Sequence, residues 1–96
     1  MMVLITYDVN TETAAGKKRL AKMAKKCTNY GQRVQNSVFE CVIDPALFKQ
    51  VQEQLEKIMD KDHDSLRFYF LGDDWKTRVY HVGAKKSMDL EGTLIL

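Results

Sequence analysis

Breaks in the chain are scarce: one proline and five glycines stand among 96 residues, so regular elements must account for most of it. No apolar run is long enough to span a bilayer, and no basic start leads into a signal-type apolar stretch with a cleavage site. These absences set the expectation of a cytoplasmic protein with no membrane role. Cys27 and Cys41 are the two cysteines, with no CxxC spacing and no histidine close by. That speaks against a zinc site or a disulfide framework, and their apolar settings predict buried free thiols. There are no internal repeats, linkers or low-complexity tracts, and the 45% hydrophobic content is enough to build one core. The reading is a single domain over residues 1–96, small enough for dimerisation to help its stability.

Acid is missing from one long stretch. Gly16 to Lys26 carries Lys17, Lys18, Arg19, Lys22, Lys25 and Lys26 without a single carboxylate, whereas acids outnumber lysines from Asp44 to Asp64. The net charge of +2 names no partner by itself, but this segregation suits a polyanion bound on one side. A basic helix face is, on its own, most often a solvated one.

What is present is an alternation of strand and helix patterns. Met2 to Asp8 reads as a buried first strand, with Val3, Ile5 and Tyr7 on one face and Leu4, Thr6 and Asp8 on the other. A carboxylate closing an apolar strand needs a partner, a metal or a capping role, because a lone buried charge is costly. Thr11 to Tyr30 has helical spacing, with Leu20, Met23, Ala24 and Cys27 as the core stripe, Thr11 or Thr13 as cap and Gly31 as a left-handed end. Gln32 to Ile43 reads as two strands that turn or bulge near Asn36-Ser37. Arg33, Gln35 and Ser37 alternate there and could project together. Asp44-Pro45 is a helix start, and Phe48, Val51, Leu55, Ile58 and Met59 make the helix amphipathic to about Lys61.

A polar connection from Asp60 to Ser65 follows, holding His63. Leu66 to Leu71 is a strand closed by Gly72, Asp73 to Lys76 a loop, and Arg78 to Val82 a short strand carrying His81. Both histidines read as structural. Gly72-Asp73-Asp74 superficially matches a polymerase metal motif, but three residues fit a turn equally well. Gly92 to Leu96 is a last apolar strand, an exposed edge that a partner's sheet would cover. The order gives an α+β fold of the ferredoxin-like βαββαβ kind with extra C-terminal strands, antiparallel with both helices on one face. Strands apolar on both faces predict a second sheet from an identical subunit.

Three blocks carry a resemblance over essentially the whole chain. These are Tyr7-Asp8-Val9 closing the first strand, Gly31-Gln-Arg-Val-Gln-Asn-Ser-Val-Phe-Glu40, and Tyr69-Phe-Leu-Gly-Asp-Asp-Trp-Lys76. With them the chain resembles the small CRISPR-associated endonucleases, the smaller protein of the pair that acquires spacers. Val82-Gly-Ala-Lys and Asp89-Leu-Glu-Gly-Thr-Leu-Ile-Leu96 are similar to the subtype I-C branch. The resemblance implies a homodimer with strand exchange at the C-terminus. It also implies a metal-dependent phosphodiesterase with Mg²⁺ or Mn²⁺ near Asp8, acting on double-stranded DNA by preference and also on RNA, beside the CRISPR integrase subunit. By resemblance Asp8 is the catalytic and metal residue, and Lys17, Arg19, Arg33 and Ser37 bind nucleic acid with Tyr7 and Phe39 in support. Lys17 stands where some relatives have arginine, which removes a bidentate phosphate contact. No role carries over to Asp73, Asp74 or Trp75.

A different class of function fits the same residues. A non-catalytic dimer could clamp DNA between two integrase subunits, with Asp8 structural; such a scaffold could also keep a nuclease site that the cell does not need. A small-molecule-binding regulator on this fold would leave the lysine-rich helix unexplained.

Overall fold

The structure is a computed structural model that describes residues 1–71 and 79–84. Its elements are β1 (Met2–Asp8), α1 (Ala14–Tyr30), β2 (Gln32–Gln35), β3 (Val38–Val42), α2 (Pro45–Ile58), β4 (Ser65–Leu71) and β5 (Val79–Gly83). They form one sheet in the order β2-β3-β1-β4-β5 with every neighbouring pair antiparallel, so the α+β, ferredoxin-like expectation holds. The expected Gly72 closure, the Asp73–Lys76 loop and the terminal strand at 92–96 lie outside the described residues.

Period-two patterning puts β1 at the centre. Val3, Ile5 and Tyr7 are buried with Phe39, Cys41, Leu66 and Phe68 on the face that takes the helices, whose contribution includes Met23, Cys27, Val51 and Leu55. The other face carries Leu4, Thr6 and Asp8 of β1, paired in register with Glu40 and Val38 on one side and Tyr69, Arg67 and Ser65 on the other. Paired residues of an antiparallel ladder point the same way. Val42, on that face, is 74% exposed, a large apolar residue left open by this chain.

Local chemistry sets the helix ends. Thr13 accepts from the Gly16 backbone N–H at 3.0 Å, so of the two caps the sequence offered the later one is used and α1 starts two residues later than Thr11 would allow. Asn10 Oδ1 meanwhile accepts from the Glu12 N–H at 2.9 Å and turns the chain out of β1. Asp44 accepts from the Leu47 N–H at 2.7 Å, with Pro45 in the first turn of α2. β2 and β3 turn at Asn36-Ser37 as expected, and a bulge between Arg33 and Gln35 lies just ahead of that turn.

Gly31 corrects the sequence expectation. Its φ of −155° and ψ of −171° are extended, not left-handed. Glycine is required there because a Cβ would collide with Cys41 Sγ and the Glu40 carbonyl, where the chain leaves α1 flush against β3. Gly16 serves a like purpose: a Cβ on it would strike the Asn10 carbonyl, so α1 can lie close against the loop that follows Asp8.

Candidate functional site

Asp8 sits at the carboxyl end of β1 and is exposed, opposite Ser65 in the ladder. It shares a depression of about 210 Å³ with Thr6, Tyr7, Ser65 and Arg67. The donors gathered there are one carboxylate and two hydroxyls, all hard oxygens, beside one guanidinium. Mg²⁺ is commonly held by one or two carboxylates with waters and phosphate oxygens completing its shell, so this donor set fits such an ion. Among the described residues no group of three or more His, Cys, Asp or Glu side chains could hold a metal on its own.

Successive strand residues project to opposite faces, and this divides the sequence-derived set. Tyr7 points away from Asp8, into the helix-covered side. Its ring stacks on Phe39 with centroids 6.2 Å apart and planes 20° apart. Arg33 lies over the other part of that platform, its Cζ 5.1 Å from the Phe39 centroid. The Tyr7 backbone N–H donates to the Ser37 carbonyl at 3.2 Å. Tyr7, Arg33, Ser37 and Phe39 therefore form one cluster, on the far side of the sheet from Asp8. The Tyr7 hydroxyl is buried and makes no hydrogen bond of good geometry among the described residues, although the Arg33 and Ser37 side chains lie close enough to favour its ionised form. Burial, with Cys27 adding to it, pushes the Tyr7 phenol above its ordinary value, and the Arg33 charge pulls the other way.

Lys17 is exposed in the first turns of α1. Arg19 is placed differently. Its Nε donates to Asp64 Oδ2 at 2.8 Å and its Nη2 to Oδ1 at 3.4 Å. Asp64 is fully buried and also accepts from the backbone N–H groups of Asn10 (3.0 Å) and Asp60 (2.9 Å). Burial raises the Asp64 carboxyl, but these hydrogen bonds outweigh it and hold the group below the usual carboxylate range. The pair ties α1, the β1–α1 loop and the α2–β4 turn together directly behind Asp8 and Ser65. A further groove of about 410 Å³ between α1 and α2 is lined by Lys22, Lys25, Lys26 and Lys57 with Asn29, Gln54 and Ile58, and by no carboxylate.

Two of these features escaped the sequence reading. Asp64 lies in the polar connection that the sequence predicts, but its burial and its pairing with Arg19, forty-five residues away, leave no local signal. Arg67, a lone charge inside an apolar strand, is the other, and it asks for the same explanation as Asp8. His63 is exposed, with Nδ1 3.0 Å from Asp60 Oδ2, and His81 is half-buried against Arg67.

Comparison with known proteins agrees with this geometry. The model of the family described as CRISPR associated protein Cas2 matches residues 1–79. The CRISPR-associated endoribonuclease Cas2 of Chlorobaculum tepidum is 62% identical over 96 residues, covering all of both chains. The CRISPR-associated endonuclease Cas2 of Halalkalibacterium halodurans is 56% identical over 95 residues, 99% of each. The crystal structure of Streptococcus pyogenes Cas2 at pH 6.5 superposes with a TM-score of 0.71 at 60% identity, covering 83% of this chain and 96% of that one. With the sheet order, the two helices and the strand-ending aspartate already in place, this chain belongs to the CRISPR-associated Cas2 family.

Proposed function

We propose that this chain is a CRISPR-associated endonuclease that hydrolyses phosphodiester bonds in nucleic acid, with Asp8 as its catalytic carboxylate. The observation that carries the reading is the exposed Asp8 in an open depression shared with Thr6, Ser65 and Arg67. Relatives named as endonuclease and endoribonuclease support the reaction class. Double-stranded DNA is the favoured substrate, with RNA the alternative that the second of these names keeps in view.

Asp8 would hold Mg²⁺ or Mn²⁺, which when bound polarises the phosphate and lowers the pKa of an attacking water. One chain supplies one exposed carboxylate at this depression. A homodimer whose two-fold axis passes near the ends of both β1 strands would bring a second, and the open apolar face around Val42 gives such a partner a surface. Lys17 and Arg33 contribute cations for backbone phosphates, a contact independent of sequence and weakened by salt. Arg19 acts at one remove, by fixing Asp64 and the loop behind Asp8. No described helix is long and apolar enough to cross a membrane.

The lysine groove between α1 and α2 favours a second role. It faces away from Asp8, so a duplex lying along it would be held rather than cut, as in a scaffold bridging two integrase subunits. Both roles can reside in one dimer. The deciding experiment is cleavage of linear duplex DNA and of RNA by wild type and Asp8→Ala, with Mg²⁺, with Mn²⁺ and with EDTA, recording binding and dimer mass on the same samples. Cutting by wild type alone, with binding and mass unchanged in the variant, supports the nuclease. Equal cutting by both removes Asp8 from the chemistry, and binding without cutting by either leaves the scaffold.

A further inference from the structure

Strand β4 reads Ser65-Leu-Arg-Phe-Tyr-Phe-Leu71, and Arg67 is its one charged residue. The register pairs Asp8 with Ser65 and Thr6 with Arg67, which makes Asp8 and Arg67 diagonal neighbours across the β1–β4 ladder. Diagonal partners lie roughly 7–8 Å apart, within reach of a long side chain. Both residues line the same 210 Å³ depression.

Arg67 is also held from its other side. The next strand places His81 opposite it, and Arg67 Nε donates to His81 Nδ1 at 3.1 Å. A guanidinium has donors only, so Nδ1 must be the accepting nitrogen and the ring must be neutral. Its proton is then on Nε2, which donates to the Gly83 carbonyl at 3.3 Å. Burial and the Arg67 charge both hold the imidazole below its usual value, in keeping with that state. The bond at Nε fixes the plane of the guanidinium, and planarity is what lets arginine meet a phosphate through two parallel hydrogen bonds.

We propose that Arg67 binds the phosphodiester anion in the Asp8 depression, and that His81 is a positioning residue that keeps its guanidinium in plane. The inference rests on the nuclease reading for where the nucleic acid lies, but it can be read without any cleavage. A charged carboxylate alone would repel a phosphodiester, and a cation fixed diagonally beside it offsets that repulsion.

The test measures affinity of a short fluorescent DNA duplex in EDTA across a salt series, then initial cleavage rates of the same duplex with Mg²⁺. Circular dichroism and mass are taken on every variant. Arg67→Ala is expected to weaken binding roughly tenfold and to reduce the log–log salt slope by about one. Arg67→Lys keeps the charge and hence the slope, with an affinity between the two. His81→Phe loses part of the affinity at unchanged slope, whereas His81→Asn, whose amide oxygen can accept in place of Nδ1, restores it. Should Arg67→Ala not fold, Arg67→Gln takes its place in the same assay. Wild-type affinity and slope in the charge-removing variant overturn the assignment of Arg67, and equal losses in both His81 variants overturn that of His81. Wild-type protein that never cuts sinks the nuclease reading while the binding series still decides on Arg67.

Discussion

Arg19 Nε meets Asp64 Oδ2 at 2.8 Å across forty-five positions of sequence, joining the first helix to the turn that feeds β4. Asp64 has no solvent exposure, so its charge is sustained entirely by the donors around it: Arg19 and the backbone N–H groups of Asn10 and Asp60. Asp64→Asn would turn an amide NH₂ toward those donors. The expected cost is about 3 kcal/mol, measured by denaturant unfolding. Arg19→Ala is expected to cost less, since Asp64 keeps its two backbone donors and water can reach the vacated side. Loss of nucleic-acid binding in an Arg19 variant must therefore be read against its folded fraction, which Lys17→Ala would leave intact.

The same pair sets an acid limit. The folded Asp64 carboxyl lies below its ordinary value, so its stabilisation is fully present above the unfolded value, about 4, and disappears as pH falls through the folded one. Wild-type stability should drop below about pH 4, and Asp64→Asn should show a shallower fall over that range. Parallel pH curves for the two proteins would remove Asp64 from the acid response.

The fold was legible because β1, β3 and β4 are short runs rich in β-branched and aromatic residues, while in α1 and α2 apolar residues such as Val51, Leu55 and Ile58 recur at helical spacing. Asp8 was legible because a carboxylate ends an apolar strand. Alternation already puts Tyr7 and Asp8 on opposite faces; what it hides is which distant residues each of them meets. Tyr7 and Asp8 are adjacent in sequence, yet one packs on Phe39 under the helices and the other opens to solvent. The extended backbone of Gly31 and the buried charge of Asp64 are hidden for a related reason. Their roles depend on Cys41 and Arg19, which only the folded chain brings within contact.

Tyr7 carries a buried hydroxyl with no well-formed hydrogen bond among the described residues, Arg33 and Ser37 being near it but not in good geometry. An unmade hydrogen bond of this kind costs about 1–3 kcal/mol, so Tyr7→Phe should not destabilise the protein. A melting temperature equal to wild type, or higher by several degrees, is expected. The ring that stacks on Phe39 is unchanged in the variant, so any loss of nucleic-acid binding or cutting would isolate a role for the hydroxyl beside Arg33. A fall in melting temperature would show that the hydroxyl has a partner.

Cys27 is fully buried and its thiol is pushed up to about 12, chiefly by burial, with Cys41 adding to it. The reactive thiolate is then essentially absent at neutral pH. Alkylation of the native protein by iodoacetamide at pH 8 should leave Cys27 unmodified by mass spectrometry, while the same reagent in denaturant labels both cysteines. Fast labelling of the native chain would point to opening of the α1–β3 contact.

The lysine groove and the Asp8 depression lie on opposite sides of the sheet, so their contributions can be separated. If each of Lys25 and Lys57 neutralises one phosphate, Lys25→Gln with Lys57→Gln should lower the salt slope of duplex binding by about two. Cutting by the double variant at saturating DNA should persist, because nothing in the depression around Asp8 has changed. Asp8→Ala should give the reverse pattern, binding retained and cutting lost. A double variant that binds as wild type across the salt series would mean that the groove holds no backbone. The scaffold role would then rest on Lys17 and Arg33 alone, and a duplex would have to approach the chain from the α1 N-terminus and the β2 edge.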